Sequence, residues 1–346
     1  MANLLDLITP KEVQTYLTTR TFAPKIGDAL FPNRKTDSLE LEYIKGANGL
    51  PVAATVHAWD SETQVGSRAS AESFKQELAL IKRKLVIREK EIIAISNPRN
   101  DAELQRLIDA RFKDVDTLVD GVLARAEAMK MEAVAKGVVT IAENGVNGTI
   151  DYGIPADQKI VLSGSTAPTA IWTDPNADIL GNLQTWTDLM RGKGADVTRA
   201  ITSNTILRIM AANAKIRAAI FGTGADRFVS NAQLNAFLQE QGLPTFVTYD
   251  AQYNVQNGDG TYTAKRYFDE NYVALLPASP LGEGLFGPTA EETDLAGNPA
   301  FDVNLVGNVL AMVYKTPDPV AHWTKAVATF MPSFPGASSI LSAKVK

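Results

Sequence analysis

The chain has no cysteine, which excludes disulfides and thiolate chemistry. Histidine occurs twice, as His57 and His322, too seldom for a histidine-rich metal site. No apolar run approaches the roughly 20 residues that cross a bilayer. Met1 to Lys11 carries Asp6 and Pro10 and lacks the basic start and apolar stretch of a signal peptide. The expectation is a soluble protein made inside the cell, with no membrane partner. The phosphate-loop pattern G-x-x-x-x-G-K-[ST], the nucleophile elbow G-x-S-x-G and the zinc motif H-E-x-x-H are also missing. A net charge of −5 argues against a protein whose main task is gripping nucleic acid, although a local basic face stays open.

What is present is globular in character. The chain has 346 residues, 45% hydrophobic and 21% charged, enough for two packed domains or one large elaborated one. Residues 98 to 136 read as a single amphipathic helix. Leu104, Ile108, Phe112, Val115, Val119, Val122, Ala126, Met129 and Ala133 recur at steps of three and four, which lays one apolar stripe along a face. Asn97 suits the cap, Pro98 the first turn, and Gly137 a left-handed closure. Such a rod would be roughly 55 to 60 Å long. A coiled-coil arm is the rival reading, but the stripe lasts only about five heptads and strand-like segments follow at once.

Before the helix, Thr9-Pro10-Lys11-Glu12 fits a capping box, and residues 21 to 37 suit either an extended arm or a loose terminus. A strand around Leu39 to Ile44 and a second run from Phe74 to Ile87 enclose residues 46 to 73, far more than a hairpin connection of about 2 to 5 residues. Val52, Val56 and Trp59 favour a projecting hairpin that touches a neighbour over disorder. After the helix, strands are expected at 138–141, 149–152 and 159–162, with turns at Asn144-Gly145 and Asn147-Gly148. Asp174-Pro175 opens a helix with Ile179, Leu183, Trp186 and Met190 on one face, ended by Gly192 and Gly194. A strand at 197–201 leads to Ser203, which caps a helix running to about Phe221; another helix covers 231–241. Strands fill 245–276, with a turn at Asn257-Gly258-Asp259-Gly260, and the chain closes with strands at 326–331 and 340–345. Elements alternate without a βαβ rhythm, so the class is α+β.

Gly282-Glu283-Gly284-Leu285-Phe286-Gly287 is a literal G-x-G-x-x-G, but Pro277 and Pro280 separate it from the preceding strand and no repeated βαβ unit surrounds it. A mobile glycine loop is the better reading. Asn257 and Asp259 lack the spacing of a calcium loop. Asn147-Gly148-Thr149 has the form of a glycosylation site, which means nothing without secretion. Lys82-Arg83-Lys84 is expected to be the solvated face of a strand, with a role against nucleic acid or an acidic neighbour as the alternative. No catalytic, cofactor-binding or metal-ligating residue is assigned, no cofactor is expected, and no enzyme activity is expected.

The order of parts carries a resemblance. Leu30-Phe31-Pro32, then Trp172 with Asp174-Pro175 and Asp178-Ile179, then Ile201-Thr202-Ser203-Asn204, and finally Tyr272 to Pro277 running into Leu281-Gly282 and Phe286-Gly287, resemble the major capsid proteins of tailed phages. The resemblance is to the lambda-like major head protein E family in particular, with its Hong Kong 97-type shell fold. The resemblance covers nearly the whole chain. It implies an N-terminal arm at 1–37, an extended loop at 38–90, and a peripheral domain at 91–194 with the spine helix 98–136. An axial domain at 195–320 and C-terminal strands at 321–346 returning to the peripheral domain complete it. The implied function is a major capsid protein that self-assembles as hexamers and pentamers around packaged double-stranded DNA, which it contacts non-specifically. It would reside in the virion, and in the host cytoplasm during assembly. Because the spine starts near residue 98, a separate scaffolding protein is implied, with a portal and a decoration protein as further partners. Some relatives cross-link a loop lysine to a neighbour's asparagine; Lys45 and Lys75 lie in or beside the loop, but no motif assigns that chemistry. Gly121, inside the helix, is expected to let the spine bend in an immature shell and straighten later, as relatives do. An encapsulin-type nanocompartment shell is the alternative, and a nucleotide-binding enzyme a more distant one.

Overall fold

The computed structural model describes residues 23–45, 72–96, 101–295 and 301–346, apart from 167, 176, 223, 225 and 226. The capping box at Thr9, the helix start at Asn97-Pro98 and the Val52, Val56 and Trp59 segment lie outside the described residues. The chain divides into two contact units. Unit 1 holds residues 1–41, 76–127 and 283–333; unit 2 holds 42–75, 128–282 and 334–346.

Unit 1 is organised by the strand Val320–Ser333, whose β-branched and aromatic residues suit a pleated, half-buried surface. One of its edges pairs antiparallel with Ala79–Arg88, Trp323 facing Val86. Its other edge is shared: Val309–Pro317 takes residues 320–327 and Glu283–Gly287 takes residues 329–333, both antiparallel. Phe301–Val306 continues the sheet beyond Val309–Pro317, and Asn33–Lys35 adds in parallel to Glu283–Gly287. Two expectations are corrected here. The run 74–87 is not one strand: Glu72–Glu77 pairs with Glu40–Lys45 in a separate ribbon, and after Leu78 the chain changes sheets. The glycines at 282–287 are not a mobile loop either. Glu283–Gly287 is a buried inner strand, because small side chains let neighbouring chain come close: a Cβ on Gly287 would stand 2.5 Å from Leu78 Cδ1 and 2.9 Å from the Ser38 carbonyl oxygen.

The long helix runs unbroken over Asp101–Lys136. Val115, Val119, Val122, Ala126, Met129 and Ala133 are all buried, as the stripe requires. From residue 126 onward the single stripe gives way to burial nearly all round, taking in Glu127 and Lys130. Gly137 closes the helix at φ +70°, donating its amide to the Ala133 carbonyl, as a left-handed cap does. A side chain there would also strike Ile154, 2.6 Å away.

Unit 2 is built on a five-stranded sheet in the order Lys159–Val161, Leu341–Lys344, Tyr272–Pro277, Val197–Thr202, Thr245–Thr248, with parallel pairs at the two ends. Its central strand, Tyr-Val-Ala-Leu-Leu, is continuously apolar, the pattern of a strand covered on both faces. Helices Ile179–Gly192, Asn204–Ala212, Ala214–Phe221 and Asn231–Glu240 contribute to one apolar cluster with that sheet. Within it the rings of Trp172 and Trp186 stack 5.7 Å apart. The helix expected from Asp174-Pro175 begins at Ile179, its buried face as predicted. The helix expected from Ser203 to Phe221 is two helices: Ser203 caps the first, and Asn213 breaks the run and caps the second by accepting from the Lys215 and Ile216 amides. Asn144-Gly145 forms the expected tight turn, both residues at positive φ. Asn147-Gly148 instead lies inside strand Val146–Asp151, because a two-residue turn at 144–145 already sets the register.

Candidate functional site

Among the described residues no group of three or more histidine, cysteine, aspartate or glutamate side chains is placed to hold a metal ion. The motifs that might have carried chemistry are spent on structure. The G-x-G-x-x-G run is a sheet strand with its backbone amides paired: the Gly284 amide donates to the Pro32 carbonyl at 2.9 Å. Asp259 and Asn257 build a hairpin tip, where the Asp259 carboxylate accepts from the Thr261 amide and hydroxyl, and Asn257 donates to Thr261 and Thr263. The hydrogen bond from the Thr261 hydroxyl is the main influence that lowers the Asp259 carboxyl. His322 is buried in the unit 1 sheet, and His57 lies outside the described residues.

The basic run of unit 1 lies on a strand with Lys82 and Lys84 exposed and Arg83 half-buried, and it has an acidic neighbour as well. Lys82 and Lys325 both donate to Glu291 Oε1, at 3.1 and 2.5 Å. Lys84 lies 4.1 Å from the centroid of the Trp323 ring, and Arg83 runs alongside Gly121 of the long helix at 3.7 Å. Glu291 arrives there because Thr289 caps the short helix Ala290–Asp294, accepting from the Glu292 amide. The signal was legible as Thr289-x-x-Glu292, a cap-plus-acid spacing. Burial alone would raise the Glu291 carboxyl, but hydrogen bonds from Lys325, the backbone and Lys82 outweigh it and bring it down to about 2. Next to it Lys35 pairs with Glu292 at 2.7 Å. This arrangement holds charge in place: it ties Ala79–Arg88, the helix Ala290–Asp294 and Val320–Ser333 together, and presents no nucleophile beside a base.

Several surface features stand out among the described residues of the two units. In unit 1 a pocket is lined by Val86, Trp323 and Val320 together with the charged residues Arg88, Glu89, Lys90 and Glu91. In unit 2 the ribbon Gln252–Gln256 with Tyr262–Arg266 is exposed along most of its length. Its root is fixed by Tyr267 stacked between Tyr253 and Tyr249, and by the Arg266–Asp250 ion pair. Phe228, Val161, Val146 and Tyr262 are apolar and exposed. Lys75 pairs with Glu42 across the ribbon that leads into residues 46–71, both side chains more than half exposed.

Solved structures with this architecture span nearly the whole chain. A protein assigned as the capsid protein of a prophage of E. coli CFT073 aligns over 99% of this chain and 99% of its own, with TM-score 0.59 at 15% identity. A phage-related protein from Bordetella bronchiseptica RB50 covers 96% and 95%, with TM-score 0.55 at 13% identity. The capsid asymmetric unit of cyanophage A-1(L) covers 92% and 91%, with TM-score 0.50 at 12% identity. A comparison with curated protein sequences gave no match. The fold is therefore the mixed α+β, Hong Kong 97-type fold of phage shell subunits. The family model for phage major capsid protein E matches residues 11–345, and the chain belongs to that family. It is a phage shell protein of the virion, and its family is a structural one.

Proposed function

We propose that the chain assembles as hexamers and pentamers of an icosahedral head that encloses double-stranded DNA. In this reading residues 1–37 are the arm, 38–90 the extended loop and 91–194 the peripheral domain, with residues 195–320 as the axial domain around capsomer centres. Residues 321–346 return to the peripheral domain. These are functional divisions of a shell subunit, separate from the contact units. The observation that carries the reading is the ribbon Glu40–Lys45 with Glu72–Glu77, a narrow two-stranded stalk leading into a long insertion. A two-stranded stalk adds contact area away from a packed body, and its angle can adjust between the unequal surroundings of a closed shell. Each contact can be weak, because a subunit makes several at once.

A scaffolding protein, a portal and a decoration protein complete the proposed partners, and assembly takes place in the host cytoplasm. DNA is met non-specifically, since a chain of net charge −5 lets a polyanion slide rather than stick. No catalytic step is part of the proposed role. Deleting residues 50–72 tests the core of it: the expected product is a folded, soluble subunit that forms no shells by native mass spectrometry and electron microscopy. Particles of normal size and number would overturn the reading.

A further inference from the structure

We propose that Tyr43, Phe74, Tyr152 and Phe334 form an aromatic latch that fastens the root of the Glu40–Lys45/Glu72–Glu77 ribbon to unit 2, so that this unit carries the insertion although the chain on both sides of it belongs to unit 1. The contact division itself places residues 42–75 with unit 2, while 41 and 76 fall in unit 1. Something must hold the ribbon there, because two strands alone are marginal in water.

Four rings supply the hold. Tyr43 and Phe74 face each other across the ribbon with centroids 4.9 Å apart. Phe74 stacks on Tyr152 at 5.8 Å and 26°, and Tyr152 meets Phe334 edge-on at 5.6 Å and 60°. The last two are the fixed half of the latch, each with no exposed surface. Tyr152 follows the strand Val146–Asp151 and donates its amide to the Gly137 carbonyl at 3.0 Å, so the close of the long helix positions it. Phe334 stands directly before the 3-10 turn Pro335–Ser339. Tyr43 and Phe74 are the movable half, only partly buried. Burial pushes the Tyr43 and Tyr152 hydroxyls above their ordinary range, in keeping with rings held in an apolar seat. The ion pair Lys75–Glu42 in the stalk joins one ribbon strand to the other and is largely solvated, so this pair does not tie the ribbon to a body.

A latch of this size releases reversibly: every aromatic contact shifts the closed-to-open ratio by several-fold, not by many decades. The stalk is therefore fastened firmly enough to be carried by unit 2 and loosely enough to reorient. Its consequence for assembly rests on the proposed role of the insertion at contacts between copies.

Hydrogen exchange by mass spectrometry on the full-length unassembled subunit tests it. Phe74→Ala removes two of the three ring contacts and should speed exchange in 40–45 and 72–77 by about tenfold or more, while Tyr272–Pro277 in the unit 2 sheet keeps its protection. Phe74→Tyr should restore wild-type rates, and Lys75→Ala should leave them unchanged. Wild-type exchange in Phe74→Ala would overturn the latch. Equal acceleration in Tyr272–Pro277 would also overturn it, by showing Phe74 to be a general core residue. The deletion of 50–72 keeps all four rings and should retain slow exchange at the root; normal shells from that deletion would defeat the role of the insertion while leaving the latch standing.

Discussion

The two sheets of this protein are stabilised in different ways. The unit 2 sheet packs with helices around a large apolar cluster that runs from Trp172 and Trp186 to Leu341 and Val345, with few polar side chains, such as Thr202 and Ser342, buried in its strands. The unit 1 sheet contains Thr324, Thr329, Ser333 and His322 at buried positions and is tied by Lys82, Lys325 and Glu291. Close approach also matters in unit 1, in the sheet at Gly287 and between helices at Gly27, whose amide donates to the buried Glu127 carboxylate at 2.9 Å. Apolar burial is non-directional and tolerates small shifts. Ion pairs and glycine contacts fix position, and fail when one atom is out of place. Unit 2 thus has the character of a packed body and unit 1 that of a pinned frame.

Substitutions in each unit test whether the two sheets differ in this way. The largest effect is expected from Trp172→Ala, which empties the centre of the unit 2 cluster and should cost about 3–5 kcal/mol in chemical denaturation, with hydrogen exchange rising first in Val197–Thr202 and Tyr272–Pro277. Gly287→Ala should cost about 1–3 kcal/mol through clash with Leu78, Thr329 and the Ser38 carbonyl, with exchange rising first in the unit 1 sheet. If the two variants loosen the same segments, the contrast between units is wrong.

Glu291→Gln should cost on the order of 1–2 kcal/mol at neutral pH, since solvent screens part of the interaction with Lys82. Its pH signature is more specific. The folded carboxyl titrates at about 2, against an ordinary value of 4.5. The charged form is therefore favoured by folding, and the stability it adds is present above pH 4.5 and lost as pH falls toward 2. In Glu291→Gln, melting temperatures across that window should fall less steeply than in the wild type. An unchanged slope would remove the ionic cluster from the account of unit 1.

The smallest effect is a gain. Gly121 lies inside the long helix, and a Cβ there would meet the Arg83 side chain at 3.7 Å, an ordinary contact. Gly121→Ala should therefore stabilise by about 0.5–1 kcal/mol, read as a rise in melting temperature. If the glycine serves the bending expected of the spine, the same variant should slow the expansion of assembled shells; unchanged expansion kinetics would leave Gly121 without that role.

Much of the architecture was legible where the signal is local. The steps of three and four from Val115 to Ala133, the cap at Ser203, the face Ile179-Leu183-Trp186-Met190 and the turn at Asn144-Gly145 each depend on residues within a few positions of one another, and each stands as expected. The misreadings share a cause. Phe74 to Ile87 has one continuous strand-like pattern, yet its halves pair with strands far apart in sequence, Glu40–Lys45 and Val320–Ser333. The glycines at 282–287 resemble a loop until Asn33–Lys35 and Val320–Ser333 close on either side. The Lys82-Arg83-Lys84 run does keep Lys82 and Lys84 exposed, but its tie to Glu291, far along the chain, cannot be seen from it.

Local sequence settled most element types and buried faces, excluded thiol chemistry and, through the order of its parts, pointed to the capsid family. Tertiary structure alone decided which strands share a sheet, which carboxylate meets which lysine, and which unit holds the stalk by its rings. The reason is physical: periodicity and capping are settled within a turn or two of chain, whereas a contact between residues such as Phe74 and Tyr152 exists only after the intervening chain has closed on itself, and nothing in either residue's neighbours records it.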